Sequence, residues 1–186
     1  MIIYIHGFAG SGLGVKAQAV RAYFGREAMA PSLPHIPELA FDTLDQLVGF
    51  WAQREPVGLI GSSLGGFYAW ALAERHGIKA VLVNPSVKPY ETLDLWKGFV
   101  RHYHDLSSFE WNDRHIRMLK SLTPKSVTPQ NYLLMLQKDD ELLDYRVALE
   151  TFAGAKTVVE TGGGHSFDGF ENYLEKIKRF LEDRSL

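Results

Sequence analysis

Three short stretches of this chain carry residue types suited to covalent chemistry: Gly61-Ser62-Ser63-Leu64-Gly65, the adjacent Asp139-Asp140, and Gly162-Gly163-Gly164-His165. A serine hydroxyl becomes a nucleophile when a base takes its proton and a third group holds that base in one tautomer. Ser63, an acid and His165 follow one another in the order serine, acid, histidine, which suits acyl transfer through a covalent intermediate. Asp140 is the expected acid, because its spacing from Leu142 and Leu143 suits a loop that bends the carboxylate inward; Asp139 is the alternative. Glu141 and Asp144 are expected to face solvent.

Attack on a carbonyl builds negative charge on its oxygen, and backbone N–H groups aimed at that oxygen each supply about 3–4 kcal/mol. Leu64, the residue after the nucleophile, should provide one. The other should come from His6-Gly7-Phe8-Ala9-Gly10-Ser11, where small residues let the backbone approach the substrate; Phe8 is the expected donor and Ala9 the alternative. His6 reads as a hydrogen-bonding turn residue. Because the base must be neutral, activity should fall as the solution becomes acidic.

Elements in the right places must position these groups. Short apolar runs suggest strands at Ile2 to Ile5, Glu27 to Ala30, Val57 to Ile60, Ala80 to Val83, Tyr132 to Leu136 and Thr157 to Glu160. Helical patterns fall at Gly14 to Phe24, Phe41 to Arg54, Leu64 to His76, Tyr145 to Phe152 and Phe170 to Glu182, with the last amphipathic face running on toward Arg184. Repeated strand-helix units predict a doubly wound, mostly parallel α/β sheet, whose ligands collect beyond the carboxyl ends of the strands. Ser63 then sits on a strained strand-to-helix turn, and Asp140 and His165 each follow a late strand. The stretch from Ser86 to Ser121 is too long for an ordinary connection and rich in aromatic residues, so it is expected to form a mostly helical cap.

Composition narrows the function classes. The 186 residues are 46% hydrophobic and 23% charged, enough for one domain spanning 1–186 with a core of its own. A net charge of -2 offers no attraction to nucleic acid or anionic lipid. The absence of cysteine removes disulfides, thiolate zinc sites and a thiol nucleophile. No secretory signal or run of spanning length stands out, so a cytoplasmic protein without membrane insertion is expected. His102-Tyr103-His104, with Asp113 and His115, has metal-ligand residue types, but a serine mechanism needs no metal, and no cofactor is expected.

Taken together, the His6 to Ser11 loop, the Gly61 to Gly65 turn, the Asp140 loop, Gly164-His165-Ser166-Phe167, the Asn84-Pro85 turn and the Pro89-Tyr90-Glu91 tract resemble the α/β-hydrolase superfamily. More narrowly, the chain is similar from end to end to compact bacterial esterase-like proteins of the YqiA/YcfP-like group. The resemblance implies an α/β-hydrolase fold of about six strands, with residues 86–121 as a cap insertion. It also implies a triad of Ser63, Asp140 and His165 that cleaves carboxylic esters or thioesters, and the aromatic residues of the cap argue for small to medium apolar acyl groups. A peptidase or lysophospholipid hydrolase with the same triad, or a catalytically silent binding protein of this fold, are the alternatives.

Overall fold

The computed structural model describes residues 1–183. Its strands are β1 (Ile2–Ile5), β2 (Ala28–Met29), β3 (Gly58–Ser62), β4 (Lys79–Val83), β5 (Gly98–Arg101), β6 (Ser108–Trp111), β7 (Tyr132–Gln137) and β8 (Lys156–Glu160). Its helices are α1 (Val15–Phe24), α2 (Pro37–Ala52), α3 (Leu64–His76), the single turn α4 (Pro89–Thr92), α5 (Asp113–Leu122), α6 (Tyr145–Thr151) and α7 (Leu174–Glu182). Six strands form one sheet in the order β2-β1-β3-β4-β7-β8, and every neighbouring pair is parallel.

The two-residue period of a strand divides each apolar run between the faces of the sheet. Ile3, Ile5, Leu59, Leu82, Leu134 and Leu136 join a core with residues of α2, α3 and α6. The alternate positions Tyr4, Ile60, Val81, Val83, Leu133 and Met135 join a second core with Ala17 and Val20 of α1 and Leu174, Ile177 and Phe180 of α7. Both faces are therefore covered, which is why these strands read as continuous apolar runs. The chain runs from β1 outward to β2 and then returns to β3 on the other side of β1. The resulting switch point leaves the loop after β1 beside the turn after β3, where a crevice opens at the strand ends.

Three local expectations differ from the structure. Helix α2 starts at Pro37, four residues before Phe41, because proline at the first helical position brings a suitable φ, and the N–H it lacks would have had no intrahelical partner there. The helix expected from Phe170 begins as a 3-10 turn over Phe170–Tyr173 and becomes α-helical at Leu174; Arg184 lies outside the described residues. The 86–121 stretch combines the short turns at Pro89–Thr92 and Asp94–Trp96 and helix α5 with an antiparallel hairpin, β5 against β6. Val100, Phe109 and Trp111 turn inward from that hairpin while Phe99 faces outward at 84% exposure. Four-residue strands are too short for such alternation to stand out in the sequence.

Candidate active site

Ser63 occupies the turn between β3 and α3 with φ 57 and ψ -122, a backbone conformation a residue with a side chain rarely adopts. Its neighbours over-determine that strain. The Ser63 N–H donates to the Val83 carbonyl at 3.0 Å, and its own carbonyl accepts from Gly66 at 2.9 Å and Ser86 at 3.0 Å. The flanking glycines are needed for space: a Cβ on Gly61 would lie 2.2 Å from the Gly65 carbonyl oxygen, and one on Gly65 would lie 2.1 Å from that of Ile5.

The loops after β7 and β8 bring an acid and an imidazole to this serine. His165 Nε2 lies 2.9 Å from Ser63 Oγ, while its Nδ1 lies 2.9 and 3.0 Å from the two carboxylate oxygens of Asp140. The Asp140 side chain is only 2% exposed, and its Oδ1 also accepts the N–H groups of Leu142 and Leu143, each at 2.9 Å. Burial works to raise the Asp140 pKa, but its bond to His165 and the two amide bonds outweigh it and hold the carboxyl below its usual range. A carboxylate at Nδ1 fixes the ring proton there, leaving Nε2 to accept the Ser63 hydroxyl proton. Asp139, by contrast, is exposed. Glu141, expected to do no more than face solvent, is exposed but also accepts the His165 N–H at 2.9 Å through Oε2. Asp144 caps α6 through the Arg146 N–H and pairs with the Arg146 guanidinium.

The loop after β1 lies against the nucleophile, since a Cβ on Gly7 would come within 3.1 Å of Ser63 Cβ. Gly10 donates to the Gly7 carbonyl at 3.2 Å, closing a turn in which Ala9 has φ 55. His6 braces this loop: its Nε2 accepts the Leu33 N–H at 3.0 Å, so Nδ1 carries the proton and donates to the Gly7 carbonyl at 2.8 Å. Burial, reinforced by nearby His102 and opposed by the Gly7 bond, lowers the His6 pKa and favours that neutral ring. Leu64 opens α3, so its amide is among the first-turn N–H groups that lack an intrahelical acceptor.

Phe8, Ser63, Leu64 and His165 line one cavity of about 920 Å³. Its lining also includes Leu93, Leu95, Trp96 and Tyr103 from the 86–121 segment, with Leu13 just before α1 and Val15 at its start. That segment touches the β1 loop directly: Tyr103 donates its N–H to the Ala9 carbonyl at 3.0 Å, and the Phe8 ring meets Phe109 and Trp111 edge-on at 5.7 and 4.7 Å. Two histidines of the segment, His102 and His115, serve packing and capping. The His115 ring stacks on Trp111 at 4.8 Å and its Nδ1 accepts the Asn112 N–H at the start of α5, while His102 and His35 pack on Phe109. Among the described residues, no three His, Asp or Glu side chains converge as a metal set.

One family matches this chain over residues 1–182, the Uncharacterised protein family (UPF0227). The chain belongs to the UPF0227 family. Among UPF0227 relatives, the protein of Pasteurella multocida is 24% identical over 192 residues, covering 98% of this chain and 99% of its own length. The UPF0227 protein YcfP of Salmonella paratyphi A is 22% identical over 189 residues, covering 97% and 98%. Among solved structures, Est1E from Butyrivibrio proteoclasticus with ferulic acid bound superimposes with a TM-score of 0.73 at 17% identity, over 97% of this chain and 87% of that one. Mouse alpha/beta hydrolase domain-containing protein 10 gives 0.72 at 15% identity, over 97% and 88%. This UPF0227 chain thus has the α/β-hydrolase fold, and its likeness to YcfP runs through nearly its whole length.

Proposed function

We propose that the protein is a serine hydrolase that cleaves carboxylic esters or thioesters through an acyl-enzyme. One observation carries the reading: the imidazole of His165 bridges Asp140 and Ser63, with 2.9 Å contacts at both ring nitrogens. In the forward step His165 Nε2 takes the Ser63 proton as Oγ bonds to the substrate carbonyl carbon. The carbonyl π pair moves onto oxygen, where the Leu64 and Phe8 amides hold it, and Asp140 stabilises the imidazolium that forms. Collapse of this intermediate expels the alcohol or thiol, which takes its proton from Nε2. Water then repeats the cycle on the acyl-serine and regenerates Ser63.

The apolar wall supplied by Leu93, Leu95 and Trp96 supports acyl groups of small to medium size, with residues 86–121 acting as a cap on a single α/β-hydrolase domain. The ferulic acid held by the fold neighbour Est1E is itself a carboxylic acid, in keeping with ester hydrolysis. A small molecule, taken up in the cytoplasm, is the substrate in this reading; no helix among the described residues is long and apolar enough to cross a membrane.

A chromogenic ester series of increasing acyl length, run beside Ser63→Ala and matched thioesters and amides, tests the proposal. Turnover of esters or thioesters that disappears in Ser63→Ala is the expected result. Faster turnover of amides would favour a peptidase, a preference for lysophospholipids would favour a lysophospholipid hydrolase, and no Ser63-dependent turnover would favour a binding protein.

A further inference from the structure

The loop that delivers His165 is held from beneath by two buried carboxamides. Asn84, at the end of β4, is 2% exposed, and its Nδ2 donates to the carbonyls of Gly164 at 3.0 Å and His165 at 3.2 Å. Its Oδ1 accepts the Gln137 N–H at 3.0 Å, so one side chain joins the end of the acid-bearing strand to the loop of the base. Gln137 is 4% exposed and grips the other side of that loop. Its Oε1 accepts the Gly164 N–H at 3.1 Å and the Asp168 N–H at 2.7 Å, while Nε2 donates to the Asp168 carbonyl at 2.9 Å. A Cβ on Gly163 would fall 2.1 Å from the Gln137 carboxamide, so the glycine tract before His165 makes room for this grip.

The nucleophile is tied to the same point through the backbone. Val83 accepts the Ser63 N–H, Ser86 donates to the Ser63 carbonyl, and Asn84 stands between them with φ 39. The carboxamides therefore face loop backbone and touch neither reacting atom. They join the acid-bearing strand to the loop of the base, and the backbone on either side of Asn84 ties that junction to the nucleophile.

We propose that Asn84 and Gln137 are positioning residues for the base, holding the 164–168 backbone where the His165 ring reaches both Asp140 and Ser63. The inference rests on the acyl-transfer reading. A displacement of about 1 Å in a reacting geometry costs about 10²-fold in rate, so the effect belongs in kcat and not in substrate binding.

Three variants of the full chain test it. Asn84→Gly keeps the positive φ and removes only the carboxamide. Asn84→Asp keeps the shape and the acceptor for Gln137, and loses the donors. Gln137→Met fills the space without polar atoms. Each should stay folded by thermal melting, lose about 10²-fold in kcat on a p-nitrophenyl ester, and keep KM within about twofold. Proton NMR in a Ser63→Ala background gives a second readout, independent of turnover. There the downfield Nδ1 proton shared by His165 and Asp140 should be sharp with Asn84 and Gln137 intact, and broadened or lost in each variant. Folded variants with kcat within about threefold of the parent, or with that proton unchanged, would overturn the proposal. So would unfolding of all three, which would make the pair structural. Parental turnover by Ser63→Ala alone would instead defeat the acyl-transfer reading, while the proton signal still judges the clamp.

Discussion

The base loop and the 86–121 segment meet at the same cavity but are built in opposite ways. Around His165, polar side chains are buried and bonded: Asn84 is 2% and Gln137 4% exposed, and among the described residues no buried side-chain nitrogen or oxygen lacks a partner. On the cavity wall supplied by the 86–121 segment, Leu95 is 89%, Tyr103 73% and Trp96 46% exposed. Satisfied buried polar networks fix one geometry, whereas exposed apolar groups gain by covering another apolar surface. On the proposed reading, the contrast gives the reaction to the sheet ends and substrate selection to the segment after β4.

Substitutions at the sheet ends should therefore cost the most, and those costs should fall on kcat. Ser63→Ala and His165→Ala should each lower kcat by at least about 10⁴-fold in steady-state assays. Asp140→Asn should cost about 10³–10⁴-fold, because the imidazole loses its fixed tautomer, while Asp139→Asn should stay within about twofold. Equal losses at the two aspartates would break the assignment of the acid. On the other wall, Trp96→Ala should raise KM for longer acyl esters about fivefold with little change in kcat, as expected when contact is the same in the ground and transition states.

The smallest effect is on stability, through pH. Burial works to raise Asp140 and Glu74, but hydrogen bonds outweigh it in both; Glu74 accepts from Tyr132, Thr128 and Ser126. A group whose folded pKa lies below its unfolded value adds stability above the unfolded pKa and loses it as pH falls through the folded one. His6 obeys the same sign, since burial lowers its pKa and protonation breaks the bond from Leu33. Thermal midpoints should therefore begin to decline below about pH 6.5 and fall more steeply below about pH 4. His6→Asn should flatten the first limb and Glu74→Gln part of the second.

The sheet was legible because β3, β4 and β7 are buried on both faces and read as unbroken apolar runs. Ser63 and Asp140 stood out because each follows such a run at a turn, and His165 because it ends a glycine tract after the last strand. Asn84 and Gln137 carried no comparable signal. Gln137 reads locally as the first residue of a polar loop, and its side-chain partners lie 27 and 31 residues away; those of Asn84 lie 53 to 81 residues away. The hairpin of β5 and β6 was hidden for another reason. Its alternation spans only four residues on each strand, within a stretch already crowded with aromatic residues.

Intact-mass analysis after reaction with an organophosphonate probe tests the central claim most directly. The parent chain should gain one adduct, mapped by peptide analysis to Ser63, and Ser63→Ala should gain none. An unlabelled parent, or equal labelling of Ser63→Ala, would contradict the account.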